Sequence, residues 1–207
     1  MKKHLTLIGF MTALFIAVVG CSEQNIPQEG VKYTVVKTPT PDAASVVEVF
    51  SLGCGHCRNM EKMLPDIQKL AGVNIEQVHV TFNQGAQVAA YMYYTAFIQT
   101  DGKPSPELKE DLFRFIQEDS TALSEDERQT ALNAIFDKYK LQSPFQLSES
   151  QREEVYQHLT QANQLEANAG ITSVPTFLVK GKYLVQNSEH ESLEDLANTI
   201  RYLSEKQ

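Results

Sequence analysis

The chain has 207 residues, 42% hydrophobic and 21% charged, with 26 acidic against 18 basic side chains and a net charge of −8. This length fits one domain with a sizeable core once any leader is set aside. The acidic balance removes the electrostatic case for nucleic acid and for an anionic bilayer surface. Loss of a leader carrying Lys2 and Lys3 would make the remainder more acidic still.

Residues 1–20 have the shape of a secretory signal peptide, with Lys2 and Lys3 ahead of an apolar run from Leu5 to Val19. The run is too short, and ends too abruptly in polar sequence, to span a bilayer comfortably. Val18-Val19-Gly20-Cys21 resembles a bacterial lipobox, in which the cysteine is lipidated and becomes the new N-terminus. A lipidated Cys21 leaves only one further cysteine pair. The alternative is an ordinary signal peptide, which leaves Cys21 as an odd thiol in an oxidising compartment. Residues 21–30 then read as the lipidated cysteine and a flexible tether, long enough when extended to reach about 30 Å. Ser22 rather than Asp after Cys21 favours, by resemblance to lipoprotein sorting, the outer membrane over the inner.

The folded domain is expected over residues 31–207. Lys32 to Val36 is a first strand, Pro39 and Pro41 interrupt it, and Val46 to Phe50 is a second. Glu48 stands out there, because a charge is rarely placed in a buried strand without a partner. It either faces an open sheet edge or serves chemistry. Cys54-Gly55-His56-Cys57 follows at once, and Met60, Met63, Leu64, Ile67 and Leu70 then recur at helical spacing. Pro65 lies inside that helix and should kink it. A third strand is expected over Ile75 to Phe82, with His79 packed in the sheet rather than acting as a ligand.

From about residue 85 to 170 the pattern is helical. Val88, Met92, Ala96 and Phe97 mark one helix, and Ser105-Pro106 opens another with Leu108, Leu112, Phe115 and Ile116 inward. Ser124 with Glu127, and Ser148 with Gln151, form capping boxes, and Gly170 is a C-terminal stop. Thr176 to Val179 and Tyr183 to Gln186 form a hairpin around Gly181-Lys182, and Leu193, Leu196, Ala197, Ile200 and Leu203 mark a closing helix. No internal repeat, phosphate loop or nucleotide fingerprint is present.

The chemistry concentrates where the second strand runs into the first helix. Helix N-termini carry unsatisfied N–H groups and partial positive charge, so a thiol placed there ionises more easily, and the thiolate is the attacking form. Cys54 would be the exposed nucleophile, and Cys57, one turn on, would close a small disulfide ring. His56 can donate a hydrogen bond to the Cys54 thiolate or, when charged, repel its proton. The same spacing is also half of a zinc site. Tetrahedral zinc wants four ligands, and His79 and His158 could complete only a scattered set.

These residues resemble the DsbA-type thiol:disulfide oxidoreductases of the bacterial envelope, a branch of the thioredoxin superfamily. The resemblance extends to Glu48 six residues before Cys54, His79-Val80-Thr81-Phe82, Val174-Pro175, Gly181-Lys182-Tyr183 and the terminal Tyr202-Leu203-Ser204-Glu205-Lys206. It implies an α/β thioredoxin fold with an inserted all-helical subdomain. It also implies a redox disulfide between Cys54 and Cys57, a Glu48 that carries protons to and from Cys57, and Glu61 as a second acid nearby. The family's cation between those acids should fall at Gln77, which is neutral, so Glu48 is expected to be less well held as an anion. A cis Val174–Pro175 bond would leave the Val174 backbone bare beside Cys54, where a substrate strand could pair.

The implied activity is introduction of disulfides into reduced, unfolded exported proteins in the periplasm of a Gram-negative bacterium. The protein would work as a lipid-anchored monomer with no cofactor beyond its redox disulfide and no metal. A DsbB-type membrane quinone reductase would reoxidise it. Gly55-His56 matches protein disulfide isomerase rather than the family's commoner Pro-His, which suggests a milder oxidant near about −180 mV. Two alternatives stay open: a reductase or isomerase of the same fold, and a lipoprotein that binds metal through Cys54, Cys57 and His56.

Overall fold

A computed structural model describes residues 26–207 of the chain. The leader, Cys21 and the beginning of the tether lie outside the described residues. Pro27 is already buried, and the Gln28 carbonyl accepts from Val31 and Lys32, so the packed body starts a few residues ahead of the first strand.

Five strands form one mixed sheet: β1 (Tyr33–Val35), β2 (Val46–Phe50), β3 (Glu76–His79), β4 (Thr176–Val179) and β5 (Tyr183–Val185). Their spatial order is β1-β5-β4-β2-β3. β2 pairs parallel with β3 and antiparallel with β4, so the strand that leads to the cysteines is central and buried along its whole length. β3 is shorter than the stretch expected from sequence, because the chain leaves the sheet after His79. The β4–β5 turn needs glycine at Gly181: its φ is +60°, and a Cβ there would sit 1.8 Å from the Thr40 carbonyl oxygen.

Side chains alternate across a strand, and this divides the core. Val46 of β2 packs with Phe177 and Val179 beneath α1 (Gly55–Ala71) and α6 (Leu193–Glu205), through Met60, Leu64, Ile67, Ile200 and Leu203. Val47 and Val49 face the other way, onto Leu165 and Ala169 of α5 (Glu149–Ala169). α1 continues as one helix past Pro65, which stands on its exposed side.

The insertion comprises α2 (Gln84–Ile98), α3 (Pro106–Gln117), α4 (Glu125–Lys138) and α5. Ser105 caps α3 by accepting from Leu108 N–H, and capping boxes at Ser124 and Ser148 start α4 and α5. Gly170 ends α5 in the left-handed conformation. The residues that mark α2 do not all face inward. Val88 is 50% exposed, whereas Ala89, Ala90, Tyr93, Tyr94 and Ala96 are buried. α2 is apolar nearly all round, so spacing alone does not fix which face turns inward. The insertion has its own core, and Phe50, Leu52 and Cys57 belong to it. The cysteine motif therefore sits at the seam between the sheet and the helical insertion.

Candidate active site

After Phe50 the chain turns through Ser51, Leu52 and Gly53 and delivers Cys54 to the N-cap of α1. The turn is held from three directions. Cys54 N–H donates to the Ser51 carbonyl at 3.0 Å. Leu52 N–H donates to His79 Nε2 at 2.8 Å, and the Leu52 carbonyl accepts from Gln117 Nε2 at 2.8 Å. His79 Nδ1 lies 2.8 Å from the Val80 carbonyl, so it holds the ring proton and leaves Nε2 free to accept. Burial lowers the His79 pKa to about 4, which keeps the ring neutral and its acceptor available.

The two sulfurs differ sharply. Cys54 is half-buried, and its Sγ accepts from Cys57 N–H at 3.2 Å, across the first turn of the helix. Cys57 is 1% exposed, and both are free thiols. A hydrogen bond from the Cys57 thiol is the main influence lowering the Cys54 pKa, from 9.0 to about 6. The N–H groups of Cys57 and His56 and the charge of His56 add to it, against the opposing effect of burial. The same hydrogen bond, then burial, push Cys57 strongly upward. His56 is exposed at the mouth of the site.

The opposite wall is the turn into β4. The Val174–Pro175 bond is cis, and the Val174 carbonyl oxygen lies 3.5 Å from Cys54 Sγ. A groove of about 390 Å³ runs past the sulfur, lined by Ser51, Cys54, Phe82, Ala86, Ile116 and Val174. Phe82 is 44% exposed there, an apolar surface open to a passing chain.

Beneath the cysteines Glu48 is 1% exposed. Its Oε2 accepts from Gln77 Nε2 at 2.7 Å, and its Oε1 is buried without a partner among the described residues. Burial is the main cause that raises its pKa from 4.5 to about 8; the Gln77 hydrogen bond and Lys109 oppose it, and Glu61 and Cys54 add to it. The carboxyl is thus mostly protonated at neutral pH. Among the described residues, no group of three His, Cys, Asp or Glu side chains is placed to hold a metal ion.

A family model described as Thioredoxin matches residues 38–200. The chain belongs to the thioredoxin family. Within it, its relatives include thiol:disulfide interchange proteins named DsbA. The one from Escherichia coli is 26% identical over 195 residues, covering 86% of this chain and 89% of its own. That of Burkholderia cepacia is 25% identical over 213 residues, covering 98% and 96%. Among solved structures, Proteus mirabilis DsbA in complex with the non-covalently bound peptide PWATCDS superposes with a TM-score of 0.62 at 20% identity, covering 87% of this chain and 99% of its own. This chain is accordingly a DsbA-type thiol:disulfide oxidoreductase.

In this DsbA-type protein the structure brings Cys54, Cys57, Val174, Pro175 and Glu48 into one site, with His56 at its mouth. It also shows what the neutral Gln77 hides. Lys109, from α3, donates to Gln77 Oε1 at 2.6 Å and pairs with Glu61 Oε1, while Gln77 Nε2 donates to Glu61 Oε2 at 2.8 Å. The cation expected at Gln77 is therefore present, but it arrives from the helical insertion. Lys109 is only 7% exposed. Sequence reasoning missed it, although Lys109 lies three and four residues before Leu112 and Phe113, on the buried face of its helix. It also missed Arg58, which is held by Glu110 through contacts of 3.0 and 2.6 Å and by Glu118, and Gln117.

Proposed function

We propose that this protein introduces disulfides into exported proteins, in the periplasm of a Gram-negative bacterium. The observation that carries this reading is the asymmetry of the two sulfurs: one is half-exposed at a helix N-cap, where its pKa is lowered, and the other is buried, where its pKa is raised. In the oxidised protein a client thiolate attacks Cys54 Sγ, the Cys54–Cys57 bond breaks, and Cys57 leaves with the electron pair. The Cys57 sulfur takes up a proton from Glu48, whose carboxyl is protonated at neutral pH. The client's second thiolate then attacks the client sulfur of the mixed disulfide and releases Cys54 as a thiolate. Two client thiols become one disulfide, and the two electrons remain on the enzyme as the dithiol.

The direction follows from the released group. A stabilised Cys54 thiolate favours the reduced enzyme, so electrons flow from client to enzyme. His56, Val174 and Pro175 complete the working set: the first tunes the thiolate, and the other two present a backbone on which an extended client can pair. The open groove at Phe82 and Ile116 would take apolar client side chains, in keeping with the peptide-bound Proteus mirabilis relative. No cofactor beyond the redox disulfide is required. Reoxidation falls to a DsbB-type membrane quinone reductase, and Cys21 anchors the monomer by lipid, to the outer membrane rather than the inner.

Equilibration of the domain in graded glutathione buffers tests the direction. The oxidase reading expects a potential near about −180 mV, above the glutathione couple. A value near about −270 mV would mean that the pair prefers to stay oxidised, and the protein would be a reductase instead.

A further inference from the structure

Buried polar groups settle into arrangements that use every donor and acceptor. The side chain of Gln77 does so fully. Its two N–H groups reach Glu48 Oε2 at 2.7 Å and Glu61 Oε2 at 2.8 Å, and its single carbonyl oxygen takes the ammonium of Lys109 at 2.6 Å. The orientation has no equivalent alternative. Turning the amide over would set its oxygen against two carboxyl groups and its N–H groups against an ammonium.

Lys109 is what closes this choice, and it comes from α3, across the seam from the strands and helix that carry Glu48, Gln77 and Glu61. We propose that Lys109 sets the proton affinity of Glu48, acting through the Gln77 amide as a positioning residue supplied by the helical insertion. The inference rests on the reading of Glu48 as proton carrier to Cys57 and adds the element that tunes it. With Lys109 in place the amide must present N–H to Glu48, which favours the carboxylate. Without Lys109 the amide is free to turn and accept from a protonated Glu48, which favours the acid.

The other groups around Glu48 do not do this. α1 contributes Cys54 and Glu61, whose negative charges only oppose ionisation of Glu48, and the neutral thiol of Cys57, while α2 contributes the buried phenol of Tyr93. β4 places Phe177 opposite Glu48 in register, with no charge to offer. Lys109 is the cation that acts on Glu48. A cavity of about 580 Å³, lined by Gln77, Tyr93, Phe97, Asp101, Lys103 and Lys109, opens beside the amide. Neither cysteine lines it.

The decisive measurement is the titration of the Glu48 side-chain carboxyl carbon in the reduced protein by NMR. The signal is assigned by its loss in Glu48→Gln, and the pH dependence of mixed-disulfide resolution is followed in parallel. Lys109→Met should move the midpoint up by about one unit or more, and the rate profile should move with it. Gln77→Leu keeps the Lys109–Glu61 pair and removes only the amide, and it should shift the midpoint in the same direction. Lys109→Arg should restore it, and so should Gln77→Lys in the Lys109→Met background, which returns the cation to the sheet.

An unmoved midpoint in Lys109→Met overturns the proposal. So does a Lys109→Met shift that is as large in the Gln77→Leu background as in the unaltered protein, since the charge would then act through space and not through the amide. If Lys109→Met does not fold, Gln77→Leu and Lys109→Arg decide between the same outcomes. Failure of the underlying reading is separate: Glu48→Gln would then resolve mixed disulfides as fast as the unaltered protein, whatever the midpoints do.

Discussion

Cys54 and Cys57 are the same residue one helical turn apart, and the fold makes them chemical opposites. Cys54 stops the helix at its N-cap, where the Cys57 N–H points at its sulfur, and it faces the groove beside Val174. Cys57 has passed into the helix, packs with Phe50 and Leu52 in the core of the insertion, and has Glu48 below it. Exposure and an N-cap make a nucleophile and a good leaving group; burial over a protonated carboxyl makes a thiol that must borrow a proton to leave. Reactivity is thus assigned by position along three residues and not by residue type.

Removing each sulfur in turn should break the pair most completely. Cys54→Ser has no sulfur for a client to reach, so oxidation of a reduced client should fall to the uncatalysed rate. Cys57→Ser keeps the nucleophile and loses the resolving partner. Given a disulfide-bonded peptide, its Cys54 thiolate should attack one sulfur, release the other as a thiolate and accumulate a long-lived mixed disulfide, visible as a mass increase that dithiothreitol reverses. Equal and complete loss in both variants, with no trapped adduct in Cys57→Ser, would show that the two are not divided as described.

The acid beneath the pair should give the next largest effect. Glu48→Gln removes the proton that Cys57 takes on leaving, and general acid–base groups of this kind are commonly worth about 100-fold or more in rate. The loss should be confined to the step in which Cys57 leaves or attacks, measured by stopped-flow with a cysteine-containing peptide. Stability should respond with the opposite sign. The folded carboxyl titrates at about 8 against 4.5 for the free group, so the cost tied to its ionisation is absent below pH 4.5. The cost then grows as pH rises toward 8, to the order of 4–5 kcal/mol for a group so completely buried. In urea unfolding of the reduced protein, Glu48→Gln should be close to neutral at acid pH and stabilising at alkaline pH.

Iodoacetamide labelling of the reduced protein sharpens the comparison further. Cys54 should label with a midpoint near 6 and Cys57 should not label in the folded state. Because the folded Cys54 pKa lies below the 9.0 of the free thiol, its contribution to the stability of the reduced form is present above pH 9 and is lost as pH falls through 6. The thiolate is half-exposed, so solvent screening keeps that contribution modest. A labelling midpoint near the free thiol value would remove the case for a disulfide donor.

Much of this was legible in the chain, because it is written locally. Cys54 and Cys57 follow a β-pattern and open a helical one, Ser124–Glu127 and Ser148–Gln151 are capping boxes with neighbours in sequence, and Gly170 stops its helix for a reason of backbone geometry. Glu48 was visible as a charge in an apolar strand. What was not legible depends on tertiary partners. Lys109 meets residues 32 and 48 positions away, and a lysine on an amphipathic helix ordinarily means solvent. Gln117 and His79 grip Leu52 from opposite sides, and nothing adjacent in sequence announces either contact. The inward face of α2 was not legible either, because a helix apolar on several sides has no single period to follow.

The smallest expected effect belongs to His56. It is exposed, and its charge is the last and weakest of the influences that lower the Cys54 pKa, behind the Cys57 thiol and two backbone N–H groups. His56→Ala removes the charge and leaves the helix N-cap intact. The Cys54 labelling midpoint should therefore rise by less than about one unit, and the reduction potential should fall by no more than about 30 mV, the equivalent of one unit for a two-electron couple. A far larger drop would mean that the imidazole, and not the Cys57 thiol with the N–H groups of the helix N-terminus, holds the thiolate, and the division between Cys54 and Cys57 would then rest on one exposed side chain. No change in potential would mean that Gly55-His56 is not what makes the oxidant mild, and the ties from α3 to Leu52 and Arg58 would be the place to look.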